Sequence, residues 1–167
     1  MAETKIYIPD SLDTNLREQA MRRFGYGKGS ISNAAIEAIT QWLMRENAIS
    51  TGLDKIVESS KRDSNVIAAI LFGSYARKDP RYRDVDIALV LKNSSKGTDV
   101  QYQKGLETVF DISIFNSLPV DLQKRALDEG TILYLGDKPE LYKISERLIR
   151  SSADSLHMAR LINGAST

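Results

Sequence analysis

Two acids two residues apart, Asp84 and Asp86, open a segment that is otherwise apolar, Asp84-Val-Asp-Ile-Ala-Leu-Val-Leu91. If that segment is a strand, its period of two sets both carboxylates on one side, where like charges repel unless a cation sits between them. A divalent metal meets that need. A third acid, Asp111, lies inside the apolar segment Val109-Phe-Asp-Ile-Ser-Ile-Phe115, and a buried carboxylate is costly unless a cation or a hydrogen-bond donor answers it. Upstream, the continuous apolar run from Val66 to Phe72, the mark of a strand buried on both faces, ends at Gly73-Ser74. Small residues there let backbone approach phosphate oxygens, with the serine hydroxyl and the first N–H groups of a following helix as donors. Strand-borne acids that hold metal beside a phosphate cradle are what two-metal phosphoryl transfer requires.

Composition narrows the metal. The 167 residues contain no cysteine and one histidine, His157, which excludes disulfides, thiolate zinc sites, thiol nucleophiles and multi-histidine centres. Oxygen ligands remain, and they suit Mg²⁺ or Mn²⁺. His157 reads as structural. With 23 Lys and Arg against 22 Asp and Glu, whole-chain charge makes no case for nucleic acid, so such a case must come from local clusters. No run of 18 apolar residues and no signal-like N-terminus is present, so no membrane association is expected and the protein is expected to be cytoplasmic. At 42% hydrophobic composition the chain can bury one moderate core, or a small one plus a second shared with a partner subunit.

The first 47 residues suggest that second case. Lys5-Ile-Tyr-Ile8 alternates polar and apolar side chains and stops at Pro9, as a half-buried strand does. Asp10 or Ser11 caps a helix with Leu12, Leu16, Ala20 and Phe24 at helical spacing; Gly25, Gly27 and Gly29 make a turn; Ser30 or Ser32 caps a second helix striped by Ile36, Ile39 and Leu43. A lone strand over so small a core needs a partner. Strand, helix, turn and helix in this order resemble the ribbon-helix-helix family. The resemblance implies a homodimer through paired N-terminal strands and a ribbon laid in the major groove of operator DNA. Lys5 and Tyr7, on the outer face of the ribbon, would read bases, and Lys28 and Ser30 at the start of the second helix would hold a phosphate. Six basic residues face six acidic ones over residues 1–47, which fits a pure dimerisation arm equally well.

Gly73-Ser74, nine intervening residues, Asp84-x-Asp86 and a later strand acid, Asp111, resemble the nucleotidyltransferases of the polymerase-beta fold, and most of all the minimal members found as antitoxins beside HEPN-domain toxins. The resemblance spans about Leu53 to Tyr134. It implies that Gly73, Ser74 and Arg77 bind the nucleotide, that Asp84, Asp86 and Asp111 hold the metal, and that Asp111 helps deprotonate the attacking hydroxyl. The substrate would be ATP, the group transferred AMP, and the acceptor a hydroxyl, as on a partner toxin. Lys78 stands where the family usually has glycine, and Arg83 where a serine is common. The basic loop of Arg77, Lys78, Arg81 and Arg83 serves as a polyanion grip or as a solvated surface.

The expected fold is therefore α+β: a ribbon-helix-helix arm over 1–47, a connecting helix over 48–64, a small mixed β-sheet palm with flanking helices over 65–137, and a C-terminal helix over 138–167. The rival reading is a DNA-binding regulator or antitoxin that keeps a non-catalytic nucleotide-binding module.

Overall fold

The computed structural model describes residues 5–93, 98–106 and 108–150. His157 and the end of the expected C-terminal helix lie outside them. The chain divides into two compact units, Met1–Asn47 and Ala48–Thr167.

In the first unit, α1 (Asp10–Phe24) follows Pro9, whose carbonyl accepts the first helical N–H groups, from Leu12 and Asp13. No side chain caps it, contrary to the expected role of Asp10 or Ser11. Gly25, at φ 81°, ends it in a conformation that a side chain disfavours. α2 starts at Ser30, and it does not stop where expected: it is one helix of 33 residues, Ser30–Arg62, and the supposed connecting helix is its second half. Ser50-Thr51-Gly52 resembles a helix boundary locally, but Ile49 and Ile56, both buried, keep the helix packed on either side of it. Residues 5–9 form no strand in the single chain. A strand exists only through hydrogen bonds to a neighbour, and no described segment lies beside this one.

Of residues 5–47, only Ala20 and Ser30 are buried. The stripe expected to be apolar core is open to solvent: Ile36 is 63% exposed, Ile39 46%, Trp42 57% and Leu43 47%.

The second unit closes on itself. Its four-stranded sheet has the order β3-β2-β1-β4, with β1 Val66–Phe72, β2 Val85–Leu91, β3 Phe110–Ile114 and β4 Thr131–Leu135. β1 runs antiparallel to both neighbours, while β2 and β3 are parallel, so the sheet is mixed. β1 is buried at every residue because both faces are covered. On one face Ala69, Leu71, Ile87, Leu89 and Ile112 pack with Ile49 and Ile56 of α2. On the other, Ala68, Ile70, Phe72, Ala88 and Val90 pack with Ala126 of α5 (Val120–Glu129) and with Leu141 and Leu148 of the helical segment 138–150. The short helices α3 (Gly73–Ala76) and α4 (Thr98–Gln103) follow β1 and precede β3. No helix among the described residues is long and apolar enough to cross a membrane.

Candidate active site

β1 delivers Gly73 and β2 delivers Asp86 to the same point. Phe72 pairs with Asp86 across the β1–β2 ladder, and Gly73 turns at φ 76° into α3. A Cβ at Gly73 would stand 1.9 Å from the Asp86 carboxylate oxygen Oδ2. Glycine is therefore required twice over, by the backbone angle and by the acid lying against it. On its other side Asp86 pairs in register with Asp111 of the parallel strand β3, so these two side chains share a face of the sheet. Asp84 sits in the bend just before β2, one residue short of the strand in which it was expected.

The electrostatics follow. Burial pushes the Asp86 carboxyl above its usual range, and the neighbouring charges of Asp111 and Asp84 push it further, while Arg77 and Arg125 pull it back. As placed, no three acidic or histidine side chains among the described residues converge closely enough to ligate one ion. The donors on offer, the carboxylate oxygens of Asp84, Asp86 and Asp111, are hard, and their chemistry fits a divalent cation of the Mg²⁺ class and a soft metal poorly.

Arg77 caps the C-terminus of α3, with its backbone N–H on the Gly73 carbonyl, and its guanidinium meets Glu129 of α5 at 3.4 Å. Lys78 follows at φ 58°, the one described non-glycine residue with a positive φ. The backbone thus explains why glycine is usual there. The rest of the basic loop is held by Asp79, whose carboxylate accepts the Arg81 N–H and is pulled below its usual range chiefly by that bond. Tyr75 and Tyr82 meet edge to face, 4.8 Å apart.

Two contributors to the site escaped the sequence reading. Gln103 of α4 brackets Asp111: its amide donates to the Phe110 carbonyl and its oxygen accepts from the Ile112 N–H. That bracket satisfies the edge of β3 and fixes the backbone that carries the acid. Arg125 of α5 is close enough to act on Asp86. Neither residue has a spacing that marks it, because each reaches the acids through the fold.

The residues proposed for DNA lie in the first unit. Lys5 and Tyr7 are exposed and on one side of the chain, with the ammonium 5.1 Å from the ring centroid. Lys28 is exposed in the glycine turn, whereas Ser30 is buried and its hydroxyl is directed at the carbonyls of Gly25 and Gly27. Ser30 thus ties the turn.

Residues 54–139, more than half of the chain, match the family described as polymerase beta, nucleotidyltransferase. The chain belongs to that family. Among solved structures, this nucleotidyltransferase is similar to a toxin–antitoxin with AMP-PNP, at 20% identity and TM-score 0.50 over 73% of this chain and 98% of that one. It is also similar to a mutant of the toxin–antitoxin MntA–HpeT, at 18% identity and TM-score 0.51 over 71% of this chain and 98% of that one. At these identities the likeness establishes a shared fold. No curated protein matches significantly.

Proposed function

We propose that this nucleotidyltransferase transfers AMP from ATP to an acceptor hydroxyl, with Asp84, Asp86 and Asp111 holding Mg²⁺ or Mn²⁺. The observation that carries the reading is the Asp86 carboxylate, wedged between Gly73 and Asp111 where the chain turns from β1 into α3. Gly73 and Ser74 bind the phosphates with backbone N–H groups and the serine hydroxyl, because no side chain at Gly73 blocks them. The metal would neutralise the triphosphate and lower the pKa of the acceptor hydroxyl. Asp111, on the exposed edge of the acid cluster, takes the proton. The acceptor oxygen bonds to the α-phosphorus, the bond from that phosphorus to the bridging oxygen breaks, and pyrophosphate leaves. ATP is favoured because a structure of the same fold was determined with AMP-PNP. Both compared structures are toxin–antitoxin pairs, and a partner toxin, of HEPN type by the resemblance, supplies the acceptor hydroxyl.

The exposed stripe of Ile36, Ile39, Trp42 and Leu43 supports a homodimer through the first unit, in which paired N-terminal strands complete a ribbon-helix-helix arm. Lys5, Tyr7 and Lys28 then face operator DNA, with cytoplasmic residence to match.

The test is label transfer from α-labelled ATP to a co-expressed partner in Mg²⁺. Asp86→Asn and Asp111→Asn should each lower the rate about 100-fold or more with the fold intact by circular dichroism. An unlabelled partner with wild-type protein, together with tight and salt-sensitive DNA binding, would instead support the regulator with a non-catalytic module.

A further inference from the structure

Asp86 and Asp111 lie on the face of the sheet that α5 covers. Along β2 the period of two puts Asp86 on the face that also shows Ala88 and Val90, the register puts Asp111 there too, and Asp84 sits in the bend just before them, near enough to act on Asp86. That is the face α5 covers, since Ala88 and Val90 pack in the cluster that contains Ala126. The end of α5 is fixed against the end of β1. At Gly130 a Cβ would stand 2.2 Å from the Ala126 carbonyl oxygen and 3.1 Å from that of Leu71, so no side chain fits there and the helix is seated two residues from Gly73. Arg125 and Glu129 are four apart, on one side of α5. Glu129 reaches Arg77, and Arg125 and Arg77 both act on the Asp86 carboxylate. No described carboxylate forms an ion pair with Arg125.

Two guanidinium groups therefore bear on Asp86, that of Arg77 just after α3 and that of Arg125 on α5, and the first is paired with a carboxylate. We propose that α5 forms the second wall of the phosphate site: Arg125 binds the nucleotide's polyphosphate opposite Arg77, and Glu129 holds Arg77 until the polyphosphate takes its place. This rests on the nucleotidyltransferase reading given above. The Arg77–Glu129 pair is suited to such an exchange. At 3.4 Å and with both side chains nearly half exposed, it is a weak pair, and a phosphate offers the same guanidinium a more highly charged, bidentate acceptor. Arg125 is a residue of ground-state binding, so it should act on affinity for the polyphosphate more than on the chemical step.

The experiment is calorimetric titration of the full chain, in Mg²⁺, with AMP-PNP, inorganic tripolyphosphate and AMP. Wild-type protein should bind the first two. Arg125→Gln should weaken both by about tenfold, the scale of one charge-assisted contact, leave AMP within about twofold, and leave Tm unchanged. Arg125→Lys should restore part of the loss. Glu129→Gln should tighten AMP-PNP severalfold by releasing Arg77. Equal AMP-PNP affinity in wild type and Arg125→Gln would overturn the inference, and so would equal losses for AMP and AMP-PNP, which would mark general damage to the site. If wild-type protein binds neither AMP-PNP nor tripolyphosphate, the nucleotidyltransferase reading falls and this inference with it.

Discussion

The two units of this chain treat their apolar residues in opposite ways. Residues 5–47 bury Ala20 and Ser30 and leave Ile36, Ile39, Trp42 and Leu43 at the surface, whereas in the second unit every residue of β1 and nearly every residue of β2 is buried. The sequence patterns do not predict that contrast by hydrophobicity alone, since both units have clear apolar stripes. It comes from geometry. A sheet covered on both faces can close a core within one chain, while two helices and a short extended segment cannot. The second unit can therefore hold unfavourable features at its site, namely an acid with its charge disfavoured, a glycine pressed against it and a lysine in a left-handed conformation, because the surrounding core fixes them. The described part of the first unit buries too little within one chain to offer such a reserve.

The sharpest way to break the comparison is to make the exposed stripe unfit for a partner. Ile39→Glu with Leu43→Glu should abolish the dimer, halving the mass found by light scattering at micromolar concentration, because two charges would be buried in an apolar contact. The second unit should still match wild type in nucleotide binding. A mass equal to that of wild type would mean that the stripe is not the interface.

A smaller effect tests how tightly the second unit is closed. Gly52 lies in α2, where alanine would ordinarily stabilise a helix by about 1 kcal/mol. Here a Cβ would stand 2.2 Å from a ring carbon of Phe110, and that ring is 4% exposed with no room to withdraw. The clash should win, so Gly52→Ala is expected to destabilise by about 1–3 kcal/mol and, by shifting the residue beside Asp111, to slow transfer as well. A higher Tm in thermal unfolding would show that the core yields more than its packing implies.

The same contact shows what the sequence can and cannot convey. Asp86 and Asp111 were legible because an acid inside an apolar strand is conspicuous, and Gly73-Ser74 because it ends a run with no polar residue. The bounds of β1, β2 and β3 agree with the sequence pattern within a residue for the same reason, whereas the expected strand Lys5–Ile8 does not form in the single chain. Gly52, Gln103, Arg125 and Glu129 were not legible. Each acts on a residue far away in sequence, and their local surroundings are those of any polar helix. The segment 48–64 reads as a separate connecting helix because Ser50-Thr51 resembles a cap, whereas in the fold α2 runs on through it and Gly52 is small to admit Phe110. Ser30 reads as a phosphate ligand through its backbone N–H at the helix start, and the sequence does not show that its hydroxyl ties the turn through Gly25 and Gly27.

Asp86 gives a pH-dependent version of the comparison. Its folded-state pKa is raised, first by burial and then by Asp111 and Asp84. Below the ordinary carboxyl range the group is protonated in both folded and unfolded chains and carries no penalty; as pH rises from the unfolded-state pKa to the raised folded-state pKa the unfolded chain ionises first, and above the folded-state pKa the full penalty on the folded state is present. Metal-free Asp86→Asn should therefore melt above wild type at pH 7, and the difference should shrink as pH falls through the ordinary carboxyl range and vanish below it. A variant less stable than wild type at neutral pH would mean that the three acids are not in electrostatic contact.

The smallest expected effect concerns Lys78. At φ 58° a residue with a Cβ is strained by about 1–2 kcal/mol, and glycine removes that strain while adding some flexibility to the unfolded chain, at about 0.5–1 kcal/mol. The difference favours Lys78→Gly by about 1 kcal/mol or less, a Tm rise of about 2–4 °C in a chain of this length. Lys78 is exposed, and its backbone N–H on the Tyr75 carbonyl survives the change, so nothing else in the fold should move. The strained lysine is informative because a surface position under no demand would favour the relaxed residue. If the ammonium on this basic loop helps to hold the nucleotide or its acceptor, Lys78→Gly will be the more stable protein and the slower enzyme, with the KM for one substrate raised and stability moving in the opposite direction. If transfer is unchanged while Tm rises, the lysine is carried without use at the site, and strain in this unit is merely tolerated by its core.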